Sequence, residues 1–221
     1  MKNKLIFVFI TLVTILFIIS FSIAVPIIIR PFYYAQIDNL NLIHETGFSK
    51  EQIKEAYDEM LDYCLNLTDD FQTGDLLWSE SGKSHFTDVR KLFLLDLHIL
   101  ALTTILLIIY IIFKAKKKYV PYRLFGYNSS FYSGIITLVL FVLTGVLCAI
   151  DFDRAFTVFH HIFFPGKDNW IFNYKTDEII LILPEKFFMR CALCILAIVI
   201  LLCIACIISG IYKKPSKKRM E

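Results

Sequence analysis

Four uninterrupted apolar runs, Leu5–Ile29, Leu92–Phe113, Phe131–Ile150 and Phe187–Tyr212, constrain this chain more than any other feature of its sequence. Each is long enough to cross a hydrocarbon layer about 30 Å thick, which takes roughly 20 residues of helix. Within lipid the backbone must satisfy its own hydrogen bonds. That leaves helices or closed barrels, and the runs lack the alternation of barrel strands. The expectation is an all-α membrane protein, a four-transmembrane-helix bundle forming one membrane domain over residues 1–221. The first run reads as a retained span: it exceeds the usual apolar core of a signal peptide, and Ala24-Val25-Pro26 makes a poor cleavage site.

Basic residues near the span ends set the orientation. Lys2 and Lys4 precede the first span; Lys114, Lys116, Lys117, Lys118 and Arg123 follow the second; Lys213, Lys214, Lys217, Lys218 and Arg219 follow the fourth. Those twelve cations face one acid, Glu221, and an even number of spans puts them all on one side. Both termini and the loop 114–130 are therefore expected in the cytoplasm, with segments 30–91 and 151–186 outside. The net charge of +3 is mostly this topology signal and makes no case for nucleic acid. Of six cysteines, Cys191, Cys194, Cys203 and Cys206 lie in the last span and read as packing groups. Cys64 alone is clearly outside; a bridge from it to Cys148 or Cys191 has no support in the pattern.

In the first outer segment, Ser49 and Gln52 form a capping box, and a helix from there places Ile53, Tyr57, Met60 or Leu61, and Cys64 on one face. Ser84 reads as the N-cap of a helix leading into the second span. Such a helix puts His85, Asp88, Leu92 and Asp96 on one stripe. Asp96 lies just inside the span, where an acid needs a partner, and Arg190 at similar depth in the fourth span is the expected one.

The second outer segment, Asp151–Phe188, carries a His pair, a Trp and eight Phe residues. A helix continuing from the third span aligns Phe152, Phe156, Phe159 and Phe163. Asp153 and His160, seven residues apart, fall within about 20° of each other on it. His161 points away, toward solvent or packing. Pro165-Gly166 ends that helix. Asn169–Phe172 and Glu178–Leu183 then read as a small β-hairpin capping the bundle, and Pro184 opens the last helix.

Familiar catalytic signatures are missing from the outer residues: His44-Glu45 is followed by Thr, Gly and Phe, against zincin spacing, and there is no GxSxG elbow. What remains is His85 and His160, each where a span meets the outer surface, with Asp88 and Asp153 nearby in sequence. A neutral imidazole can take a proton from an attacking amine or hydroxyl and return one to a leaving alkoxide. These residues alone leave an enzyme and a non-enzymatic assembly factor or receptor level, with a membrane-bound hydrolase as a third reading.

The segments FHHIFFPGKDNWIF, TDEIILILPEKFF and SHFTDVRKL, together with four spans, resemble the bacterial lipoprotein intramolecular transacylase family, Lit, over nearly the whole chain. The resemblance implies a membrane lipoprotein substrate whose N-terminal Cys carries a diacylglyceryl group and a free α-amine. It further implies transfer of the sn-2 acyl chain to that amine without a cofactor, at the outer face of a bacterial cell membrane. The family's His falls on His160, which follows Phe159, as general base and acid. His85 would then orient substrate or stabilise the oxyanion, Asp153 and Asp88 would set tautomers, and Trp170 with the Phe cluster would seat acyl chains. A monomer is the simplest expectation.

Overall fold

A computed structural model describes residues 2–116 and 121–211. Its helices are α1 (Lys2–Ile28), α2 (Arg30–Asn39), α3 (Leu42–Thr46), α4 (Lys50–Cys64), α5 (Glu80–Ala115), α6 (Ser129–Ile150), α7 (Phe152–Phe163), α8 (Ile179–Ile182) and α9 (Glu185–Ile211). Four of them, α1, α5, α6 and α9, are long and apolar enough to cross a membrane. Lys117, Lys118 and the basic tail lie outside the described residues, as does Tyr212.

The membrane part is built around α1, which packs against α5, α6 and α9, while α6 packs along α9. Polar side chains on α1 are satisfied within the helix: Thr11, Thr14 and Ser22 each donate to the carbonyl four residues back. Ser133 on α6 reaches across to the Thr11 carbonyl at 3.0 Å. Small residues bring α6 and α9 together, as is usual where no hydrophobic effect separates helices from lipid. A Cβ on Gly134 would lie 2.7 Å from the Cys203 carbonyl oxygen, and one on Gly210 would lie 2.6 Å from the Phe131 nitrogen.

The cap gathers at the end where α1 and α6 finish and α5 and α9 begin. Ser49 and Gln52 make the expected capping box of α4, whose inner face buries Ile53, Tyr57, Met60, Leu61 and Cys64. Tyr57 stacks on Tyr33 at 3.6 Å between centroids, and the Tyr33 hydroxyl donates to the Ile182 carbonyl at 2.9 Å. Arg30, at the head of α2, pairs with Asp58 and Asp62 of α4. Cys64 is a buried free thiol against Met60 and Phe86, and Cys148 and Cys191 are free as well.

Several expectations are corrected. α5 starts at Glu80, with Ser79 as its N-cap, so Ser84 lies a turn inside the helix. The reason is distant in sequence: Asp177 accepts hydrogen bonds from the Ser79 amide and hydroxyl while Ser79 accepts from the Gly82 amide. At 1.5 Å per residue the helix is about 54 Å long, so its turns before Leu92 project beyond the apolar run. α7 is not a continuation of α6. Asp151 has extended dihedrals of −158° and 98°, breaks the chain direction and caps α7 through the Arg154 amide at 2.9 Å.

No strand occurs among the described residues, and the hairpin expected over 169–183 is replaced by turns and α8. Its polar groups bond elsewhere: the Glu178 amide donates to the Leu77 carbonyl, and the Glu178 carboxylate accepts from the Leu77 amide. Asp96 and Arg190 do not pair either. Asp96 faces α1 and takes a hydrogen bond from Ser20. Arg190 turns to α2, donating to the Gln36 side chain at 2.5 Å and the Asn39 carbonyl at 3.5 Å.

Replacing Gly134 by Ala is expected to destabilise the solubilised protein by about 1–3 kcal/mol through overpacking of the α6–α9 contact. A thermal melt unchanged from that of the parent chain would contradict this packing.

Candidate active site

His85 stands in the second turn of α5 and His160 in the last turn of α7, and both are buried. Their ring centroids are 5.8 Å apart. Aromatic side chains close the space around them. Trp170 stacks on His160 at 4.6 Å with planes 26° apart, and Phe156 lies against the ring at 4.3 Å. Phe172 meets His85 edge-on at 5.4 Å. Phe164, itself buried, touches both imidazoles, at 4.9 Å from His85 and 5.7 Å from His160.

The helical register produces this on α7. His160 follows Phe156 by four residues, so the two share the face that packs toward Phe188 of α9. His161 points outward, exposed, with only its edge against Trp170. Trp170 is brought back by the turn after Phe163, where its Nε1 donates to the Lys167 carbonyl at 3.0 Å.

A carbonyl only accepts, so the 2.8 Å contact from His160 Nδ1 to the Phe156 carbonyl puts the proton on Nδ1 and leaves Nε2 as the basic nitrogen. Burial lowers the His160 pKa below the ordinary histidine value; the Phe156 carbonyl partly offsets this and His161 adds to it. His85, in the part of α5 that precedes the apolar run, is pushed down to about 4, mainly by burial and further by His160. Asp88 works in the opposite direction but does not prevail. Both imidazoles are thus neutral at pH 7. His85 Nδ1 is buried without a hydrogen-bond partner.

The acids take up different positions from those expected. Asp153 is exposed and its carboxyl stands beside that of Glu185 at the head of α9, whereas the Phe156 carbonyl holds His160. Asp88 is buried with three donors: Lys167 at 2.5 Å, Lys91 at 3.1 Å and Asn169 at 3.4 Å. Those donors hold its pKa below the usual carboxylate range against the effect of burial. Asn169 also reaches the Ser84 hydroxyl at 3.3 Å, so one turn of α5 tethers the segment that carries Trp170. Asp96 and Arg190 stand apart from the pair, as described above. The pattern reading missed Phe164, Phe172, Lys167 and Asn169. Their only local signal is that they flank Pro165-Gly166 and Trp170. Among the described residues, no three His, Cys, Asp or Glu side chains group as ligands for a metal ion.

A family profile for the lipoprotein intramolecular transacylase Lit matches residues 8–188. This chain belongs to the lipoprotein intramolecular transacylase family. Among solved structures, it resembles the membrane-integral Lit of Bacillus cereus, with 27% identity, a TM-score of 0.83, and 93% of this chain and 92% of that chain covered. Two more structures of that protein, each with one histidine substituted, to arginine and to alanine, match with TM-scores of 0.76 and 27% identity. They cover 93% of this chain and 88% and 90% of their own. No curated protein sequence matches. As a Lit family member the chain is a multi-pass membrane acyltransferase by kinship, and its cap places two neutral imidazoles in one aromatic enclosure.

The depressed His85 pKa has a consequence for stability. The unfolded imidazole takes up its proton near pH 6.5 and the folded one near 4, so between these values the unfolded state binds more protons. Stability should be full above pH 6.5 and fall, by on the order of 3 kcal/mol, as the pH drops to 4. Melting of the solubilised protein across that window checks this, with His85→Gln expected to flatten the slope. Equal slopes in the two proteins would contradict it.

Proposed function

We propose that this protein moves the sn-2 acyl chain of a diacylglyceryl-Cys lipoprotein to the α-amine of the same Cys. The product is a lyso-form lipoprotein with one acyl chain on glyceryl and one on nitrogen. In this reading the cap and its imidazole pair face the outside of the cell, the basic termini and loop face the cytoplasm, and the protein works as a monomer. The observation that carries the reading is the pairing of two uncharged imidazoles 5.8 Å apart within aromatic walls, with His160 Nε2 free to accept a proton.

The reaction follows from that arrangement. An α-amine has an ordinary pKa near 7.7–8.0, so a substantial neutral fraction exists at physiological pH. As the amine attacks the ester carbonyl, His160 Nε2 takes the proton that nitrogen must lose. The tetrahedral intermediate carries negative charge on oxygen, and the N–H of neutral His85 is the donor for it. Collapse breaks the bond to the glyceryl oxygen, to which His160 returns the proton. An ester is exchanged for an amide, which is downhill, so the step draws on no nucleotide or cofactor. Donor and acceptor belong to one molecule, and holding them together supplies much of the acceleration. The ring faces of Trp170, Phe156, Phe164 and Phe172 keep water from competing for the acyl group.

Mass spectrometry of a lipoprotein's N-terminal peptide tests this in cells and with purified protein. Wild-type protein should convert the diacyl form to the lyso form without loss of mass. His160→Ala should lower the rate by roughly 10²–10⁴-fold, and His85→Gln by roughly 10²–10³-fold. Normal conversion by His160→Ala would sink its assignment as base, and loss of one acyl group as free acid would point to a hydrolase.

A further inference from the structure

A cleft of about 240 Å³ opens between the start of α5 and the end of α7. Leu92, Phe163 and Phe164 form its apolar wall, and Asp88, Lys91 and Lys167 form its rim. Leu92 is the first residue of the apolar run of α5, so the cleft sits at the depth where hydrocarbon gives way to headgroups. Its apolar wall joins the lipid-facing surface: Leu95 on α5, and Ile162 beside Phe163 on α7, are both exposed. α5 packs on α1 along the bundle and on α4 in the cap, and little of its apolar run is buried. At the rim the ammonium groups of Lys91 and Lys167 are both held on the Asp88 carboxylate, at 3.1 and 2.5 Å. Phe164 is the partition between the cleft and the imidazoles, since it lines the cleft and touches both His85 and His160.

We propose that this cleft seats an acyl chain of the membrane-borne diacylglyceryl substrate, entering sideways from the bilayer between α5 and α7, and so presents its ester to the imidazole pair past Phe164. The assignment rests on the transacylase reading above and names the substrate's subsite within it. An amphipathic cleft open to lipid matches an amphipathic ligand that never leaves the membrane: the chain lies along Leu92 and Phe163, and its ester end reaches Phe164, behind which the two imidazoles stand.

The test uses the full-length protein in nanodiscs and two synthetic lipopeptides with an N-terminal S-glyceryl Cys, one dipalmitoyl and one dihexanoyl. Leu92→Trp fills the cleft and should reduce turnover of the dipalmitoyl form roughly tenfold or more relative to the dihexanoyl form. Leu92→Cys, which alters folding less, should lose dipalmitoyl turnover on modification with a long-chain alkyl methanethiosulfonate and regain it on reduction, with wild type as the control for native thiols. Equal losses for both substrates, or none, would overturn the assignment. A dipalmitoyl lipopeptide with a photoreactive acyl chain should label α5 and α7 around Leu92 and Phe163, and labelling elsewhere would overturn it too. So would a photoreactive phospholipid that labels the cleft and is not displaced by the lipopeptide. Wild type converting neither lipopeptide would end the transacylase reading, and the labelling pattern would then decide the cleft on its own.

Discussion

Two imidazoles buried side by side stay uncharged only while their surroundings exclude water and hold them apart from competing partners, and the cap is organised around that constraint. The Phe164 ring against both of them, and Trp170 stacked on His160, supply the enclosure. Phe164 is held through its backbone, its amide donating to the His160 carbonyl and its carbonyl accepting from the Lys167 amide. Trp170 is fixed through the Lys167 carbonyl, and Lys167 and Asn169 are fixed by Asp88 and Ser84 on α5. The turn of α5 that carries His85 thus also anchors the segment that covers His160. One helix turn sets the relation between residues that lie far apart in sequence.

The membrane bundle contributes by placing that turn. α5 is longer than a bilayer requires, and its excess stands at the cap end, where Ser79 and Asp177 fix its start. α6 stops at Asp151 so that α7 can run in a new direction and turn His160 inward. Both devices rest on ordinary capping chemistry, an oxygen accepting from the first free amides of a helix. Their effect is that the two histidines meet at the boundary of the apolar layer, where a lipid-anchored peptide would carry its ester and amine.

Much of this was legible in sequence, where the controlling forces act locally. The four spans follow from length and hydropathy, the α4 helix from Ser49, Gln52 and its apolar period, and the different environments of His160 and His161 from helical phase. What could not be read depends on side chains that meet across long separations. Asp177 moves the start of α5 back from Ser84 to Ser79, and Glu178 bonds Leu77 rather than a hairpin partner. Asp96 finds Ser20, and Asp153 finds Glu185 in place of an imidazole. A carboxylate's position on a helix wheel fixes the direction in which it points. Which donor waits there is a property of the folded chain.

In the proposed reaction, acyl transfer occurs within a single substrate molecule held in one enclosure. A crossover measurement tests it most directly. Purified protein is given an equal mixture of two diacylglyceryl lipopeptides that differ in both peptide mass and acyl mass. With transfer confined to one molecule, every N-acylated product combines the peptide and acyl masses of one parent, at all substrate concentrations. Products that join the peptide of one parent to the acyl chain of the other would contradict it.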